Sequence, residues 1–199
     1  KVKINFVFER IEPTAPTVTN QMTTLAAKNP DVFIAMTAGT SCTQAIQEAA
    51  NNGLAQSAQM LFQPSVCKAK SFVGKDAVGG NGAASNGWWI VGGGGKDPAD
   101  AANATDPWVA FLTDLLEKGG HPLAESSSLG TGFVFAWPMV ETMKIAAELD
   151  GGLSRPNLMV AARAFNMTNP NLLDGLKYNM SGNTDAYPTE GSEFAVYDS

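Results

Sequence analysis

Between Val2 and Phe62 the chain switches repeatedly between a two-residue and a helical hydrophobic period, and this constrains the fold more than any other feature. In KVKINFVFER, Val2, Ile4, Phe6 and Phe8 share one face, the pattern of a strand. Pro13 and Pro16 end it, and Thr19 or Asn20 opens a helix through Ala27 with Met22, Leu25 and Ala26 inward. The apolar run from Val32 to Met36 suits a strand covered on both faces. A loop at 37–41 leads into a helix with Ser41 as N-cap and Gly53 just beyond its end. Met60 to Phe62 is a third strand. This order predicts βαβ units in a largely parallel sheet, with loops 37–41 and 63–67 at the carboxyl ends of strands, where such sheets bind ligands.

The second half has a different character. Residues 68–87 are small, polar and glycine-rich; Gly87 to Val91 is a brief apolar stretch that suits a strand, and Gly92, Gly93, Gly94 and Gly95 follow at once. Four consecutive glycines suit a flexible crossing between lobes or an ordinary surface loop. Asp106 before Pro107 predicts a capped helix to Lys118, burying Phe111, Leu112 and Leu115. A longer helix is expected from about Gly130 to Leu149, kinked or restarted by Pro138. Ser154 caps another, and a last strand is expected from Glu193 to Tyr197. Helices need a sheet to cover. Few strands follow Val91, so the missing ones are expected to lie in residues outside this chain; a compact α+β protein with a small helical cap is the alternative. A first residue of Lys1 rather than Met agrees with a processed chain or a fragment.

Composition narrows the function. Of 199 residues, 13 are Lys or Arg and 19 are Asp or Glu, a net charge of -6 that argues against nucleic acid as a partner. No apolar stretch is long enough to span a bilayer. One histidine and two cysteines, Cys42 and Cys67, give no metal site. The two cysteines follow neighbouring loops, so they could be bonded or be two buried thiols.

The glycine run before Lys96 fails as a phosphate loop, because the positions that need Gly and Ser or Thr hold Ile90 and Asp97. Gly39-Thr40-Ser41-Cys42 is a hydroxyl-rich helix start, fit either to bind a carboxylate or carbonyl oxygen or simply to cap the helix. A Cys42 nucleophile would need a base, and His121 lies far off before a proline. Glu48, Glu117, Glu141 and Glu148 are expected on solvated helix faces. No catalytic set is visible, and no cofactor or metal is expected.

The ordered series KINFVFERIEPTAPTVTNQMTTLAAKNPDVFIAMTAG, TQAIQEAANNG, FQPSVC, GWWIVGG, DPWVAFLTDLLEKGG, FVFAWPMVETMKIAAELDGG and DAYPTEGSEFAVYD resembles the C-terminal portion of a type I periplasmic solute-binding protein. The branch is the branched-chain amino-acid binding group of ABC transporters, or extracellular ligand-binding receptors. The resemblance implies an α/β fold of two doubly wound lobes joined by a hinge, the first lobe incomplete here. Residues 1–91 would be the second lobe, 92–185 the later half of the first, and 186–199 a crossing back, with Gly92 to Gly95 as hinge. It implies a non-catalytic, extracytoplasmic component that closes on a small solute and delivers it to ABC permease subunits. A sensor domain of a receptor or regulator is the alternative, and an α/β enzyme a more distant one. By the same resemblance Thr37, Gly39, Thr40 and Ser65 would line one wall of the cleft and Phe133, Phe135 and Trp137 the other. Amino-acid binders of the family carry an acidic residue in the loop matching 63–65 and often an aromatic at the site matching Ala38 or Gly39. This chain has neither, leaving an amide, a small carboxylate or another apolar metabolite equally open.

Overall fold

The computed structural model describes residues 3–12, 14–98, 100–122 and 129–199, the last with backbone only at 129–131. In chain order the elements begin with α1 (Thr19–Ala26), β1 (Val32–Ile34), α2 (Thr40–Asn51), α3 (Leu54–Ser57) and β2 (Met60–Pro64). Next come α4 (Lys70–Val73), α5 (Lys75–Val78), β3 (Trp88–Val91) and α6 (Pro107–Lys118). The remainder are α7 (Leu129–Glu148), α8 (Arg155–Ala162), β4 (Asn166–Met167), β5 (Tyr178–Asn179) and β6 (Phe194–Val196). They form two compact units, Lys1–Gly92 with Phe194–Ser199, and Gly93–Glu193.

The first unit is built on a sheet of order β1-β2-β3-β6. β1 pairs with β2 and β2 with β3 in parallel, whereas β6 returns antiparallel to β3. Phe33, Leu61, Trp88 and Ile90 point to one face and pack with Met22, Ala45, Ile46, Ala49 and Leu54. The alanines of α2 let its backbone lie close to the strands, and Phe33 meets Trp88 edge to face at 5.9 Å. The continuous apolar run of β1 led us to expect cover on both faces, but Val32 and Ile34 are exposed.

Three local expectations need correction. KVKINFVFER has strand alternation, yet its described residues pair with no strand. Within it Phe6 and Phe8 stack at 6.0 Å and Arg10 lies over Phe8. Alternation supplies a strand's faces but not the neighbour that takes its backbone hydrogen bonds. Secondly, α2 begins at Thr40 with Gly39 in the cap position, and Ser41 is buried inside the first turn. Thirdly, α6 buries Val109, Leu112 and Leu116 and leaves Phe111 and Leu115 exposed. An i, i+3, i+7 stripe competes there with a second apolar stripe, and packing selects one of them.

The second unit is helical, with β4 and β5 forming a two-stranded antiparallel pair. Asp106 Oδ1 caps α6, accepting from the N–H groups of Trp108 and Val109 at 2.9 and 3.0 Å. Ser154 Oγ likewise accepts from Asn157 N–H at the start of α8. α7 continues through Pro138 over its whole length. Pro138 has no N–H to give the carbonyl four residues before it, that of Val134. Tyr178 Oη donates to that oxygen at 3.2 Å, and Asn169 Nδ2 lies 3.5 Å from it. Asn171, buried like Asn169, donates to the Phe133 carbonyl. These side chains restore the bonding that the proline removes.

Candidate functional site

In the first unit, the ends of β1 and β2 run into two loops that the cysteines join. Cys42 in the first turn of α2 and Cys67 in the turn Ser65–Cys67 form a disulfide, with both residues fully buried. Thr37 Oγ1 lies 3.7 Å from Cys67 Sγ, and only the hydroxyl of that pair carries a proton to donate. Beneath them Gln63, the single polar residue on the inner face of β2, donates to the Cys42 carbonyl at 2.8 Å. Its buried Oε1 has no hydrogen-bond partner. Sequence reasoning passed over Gln63, although a buried amide in the apolar run MLFQP was a usable sign.

Of the residues proposed for this wall, Thr37 is half-buried, while Gly39, Thr40 and Ser65 are exposed. Gly39 has φ +60°, a conformation that L side chains disfavour, and a Cβ there would meet nothing within 4 Å. With glycine in the cap position, no side-chain cap bond is made at the start of α2. The structure therefore gathers backbone amides, two threonine hydroxyls and a serine hydroxyl at one rim of the sheet. Such a rim suits hydrogen bonding to a carbonyl or carboxylate oxygen. Cys42, being bonded, offers no thiol nucleophile there.

In the second unit, Phe133 is half-buried near the start of α7 and Phe135 is exposed. Trp137 turns toward Trp108, edge to face with ring centroids 5.2 Å apart. Both line a cavity of about 480 Å3 with Lys96 and the loop 168–176. The Trp108 indole N–H donates to Asn171 Oδ1 at 2.8 Å, whereas that of Trp137 is buried without an acceptor. Lys96 is not a free cation: its ammonium lies 2.7 Å from Asp106 and 3.7 Å from Asp174. The Lys96 hydrogen bond is the chief cause holding the Asp106 carboxyl below its usual value, with the amide of Val109 next. Burial pushes the Tyr178 hydroxyl upward, so it stays protonated and able to donate.

The glycine run is tied on its far side. Gly94 N–H donates to the Glu193 carboxylate, its carbonyl accepts from Leu173 N–H at 2.8 Å, and Gly95 bridges to Leu172. Gly93 makes no comparable approach, since a Cβ there would meet open space. The boundary of the two units falls between Gly92 and Gly93. Among the described residues no cluster of His, Cys, Asp or Glu could hold a metal ion. No described helix is long and apolar enough to cross a membrane.

No protein-family model matches the sequence, and no curated protein matches it. Solved structures do share its fold. A protein of Rhodopseudomonas palustris strain CGA009 superposes with a TM-score of 0.69 at 17% identity, over 96% of this chain and 52% of that one. An extracellular ligand-binding receptor from Rhodopseudomonas palustris gives 0.66 at 18%, over 92% and 50%. An ABC transporter substrate-binding protein of Aeropyrum pernix gives 0.62 at 12%, over 90% and 48%. The chain spans about half the length of each of these structures. Its fold is thus α/β with a parallel-dominated sheet, the fold that these structures share.

Proposed function

We propose that the chain belongs to the solute-binding component of an ABC importer, which holds a small amino-acid-like or related metabolite and hands it to permease subunits. The observation that carries this reading is the pair of hydroxyl-bearing loops at the carboxyl ends of β1 and β2, held side by side by Cys42–Cys67. That is where an open parallel sheet binds ligands. Two structures of the same fold, a ligand-binding receptor and a substrate-binding protein, support the same reading. Thr37, Gly39, Thr40 and Ser65 are the proposed polar contacts, and Phe133, Phe135 and Trp137 the proposed apolar ones. Residues 1–91 and 92–185 are proposed as parts of two lobes with Gly92 to Gly95 as hinge and 186–199 crossing back. Ligand binding would favour the closed population. A buried disulfide supports an extracytoplasmic location, where such bonds persist.

The test is native mass spectrometry and thermal shift of the natural gene product against a panel of amino acids, amides, small carboxylates and apolar metabolites. One chemical class is expected to co-purify or stabilise, by about 2.7 kcal/mol at a hundredfold excess over Kd. Replacing Thr40 or Ser65 by Ala should weaken that binding. A panel without a single stabilising solute would overturn the proposal.

A further inference from the structure

Three asparagines of this chain precede a glycine, in Asn52-Gly53, Asn81-Gly82 and Asn86-Gly87. In such a pair the glycine's backbone nitrogen can attack the amide carbon of the asparagine side chain, because no Cβ crowds the approach. Both reacting groups belong to one chain, so the step has the advantage of an intramolecular reaction. The sequence does not rank the three pairs, but their surroundings do.

Asn52 closes α2, where its N–H donates to the Glu48 carbonyl at 3.0 Å and its Oδ1 accepts from Leu54 N–H at 3.1 Å. Its Nδ2 is buried, so cyclisation there must first open the helix end. Asn81 is exposed, but its nucleophile is not. Gly82 is buried, and its N–H donates to the Gly79 carbonyl at 3.2 Å. At Asn86 both members of the pair are exposed, and the Gly87 N–H meets no acceptor among the described residues. Asn86 lies outside helix and strand, in extended geometry with ψ 136°. Its side chain is tied to Ser199, itself exposed: Oδ1 accepts from Ser199 N–H at 2.9 Å and Nδ2 donates to Ser199 Oγ at 3.0 Å. The first of these bonds puts a donor on the oxygen where negative charge collects as Cγ is attacked.

We propose that Asn86 is a site of spontaneous deamidation, with water as the co-reactant, and that its conversion loosens the tie to Ser199. Hydroxide takes the Gly87 N–H proton, the nitrogen bonds to Asn86 Cγ, and the Cγ–Nδ2 bond breaks. Ammonia leaves with a proton from water, which restores the hydroxide. Water then opens the five-membered imide at either carbonyl, leaving aspartate or isoaspartate. Both products lack the Nδ2 donor to Ser199. Isoaspartate also inserts a main-chain carbon just ahead of Trp88, a fully buried member of the core. This site owes nothing to the solute-binding reading and stands or falls without it.

Incubation of the 199-residue chain in mildly alkaline buffer tests it, read by peptide mapping with fragmentation and by enzymatic methylation of isoaspartate. Asn86 should convert at least about fivefold faster than Asn81, the factor that one net hydrogen bond on the competing nucleophile supplies. This comparison lies within the unmutated chain and needs no variant to fold. Asn86→Gln should remove the fast phase of ammonia release and leave the slower ones. The isoaspartate form should unfold at lower urea than Asn86→Asp, which carries the new charge without the added carbon. Conversion of Asn52 or Asn81 as fast as Asn86, or an Asn86 that stays intact, would overturn the assignment of the site. An isoaspartate form as stable as Asn86→Asp would overturn its structural consequence.

Discussion

The hydroxyl of Tyr178 donates to the carbonyl of Val134, the acceptor that Pro138 leaves without its helical partner. A proline inside a helix costs about 3 kcal/mol, partly through this lost bond. β5 recovers some of it by placing a buried phenol against α7, which explains why the helix survives. Tyr178→Phe should destabilise the protein by about 1 kcal/mol, the usual net worth of such a bond. In a Pro138→Ala background the residue at 138 supplies its own N–H, so the same change should cost less. Urea unfolding of the four proteins decides it, and equal costs in the two backgrounds would show that Tyr178 acts elsewhere.

The disulfide closes a loop with a sequence separation of 25. Chain-entropy arguments assign a crosslink of that length about 3.5 kcal/mol. Replacing Cys42 and Cys67 together by Ala should lower unfolding free energy by that order. Because the bond joins the loops after β1 and β2, amide exchange at 37–41 should accelerate more than in α8 of the second unit. Uniform acceleration would mean that the bond stabilises the fold globally without ordering the rim.

The four glycines are not equivalent. Gly94 has φ +76°, and a Cβ there would stand 2.5 Å from Leu176 Cδ1. Gly94→Ala should cost about 1–3 kcal/mol in thermal or denaturant unfolding. Gly93→Ala, with open space around its Cβ, should change stability by less than about 0.5 kcal/mol. Indistinguishable effects would refute the view that Gly94 is held more closely than Gly93.

Asp106 gives stability an acid-side dependence. Its folded carboxyl is held below the usual 3.8 by the Lys96 hydrogen bond first, then by the amide of Val109. The unfolded chain therefore binds more protons near pH 3 to 4. The contribution is present in full above the unfolded value and disappears as pH falls through the folded one. Asp106→Asn keeps an acceptor for the cap but loses the ion pair, so its unfolding midpoint should fall less steeply between about pH 5 and 2. Parallel pH profiles for the two proteins would exclude this role.

Much of the local structure is legible from short-range chemistry. Asp106-Pro107 marks the start of α6 because an acceptor and a fixed φ act within one turn. α1 and the strands at 32, 60, 88 and 194 follow from apolar period and punctuation. β4 and β5 escaped notice, since two-residue strands carry no period. At the rim, Gly39, Thr40 and Ser65 were accessible through their place after strands, whereas Gln63 and the Asn169–Asn171 cluster act through partners distant in sequence.

The alternation of periods up to Phe62 determined by itself that the chain would build parallel βαβ units, because each period dictates which side chains share a face. It could not decide which faces would find a neighbour. KVKINFVFER has the pattern of a strand and no pairing among its described residues, and Val32 and Ile34 have the pattern of a two-sided core with cover on one side. Pairing and burial are relations between segments, and only the tertiary structure supplies them.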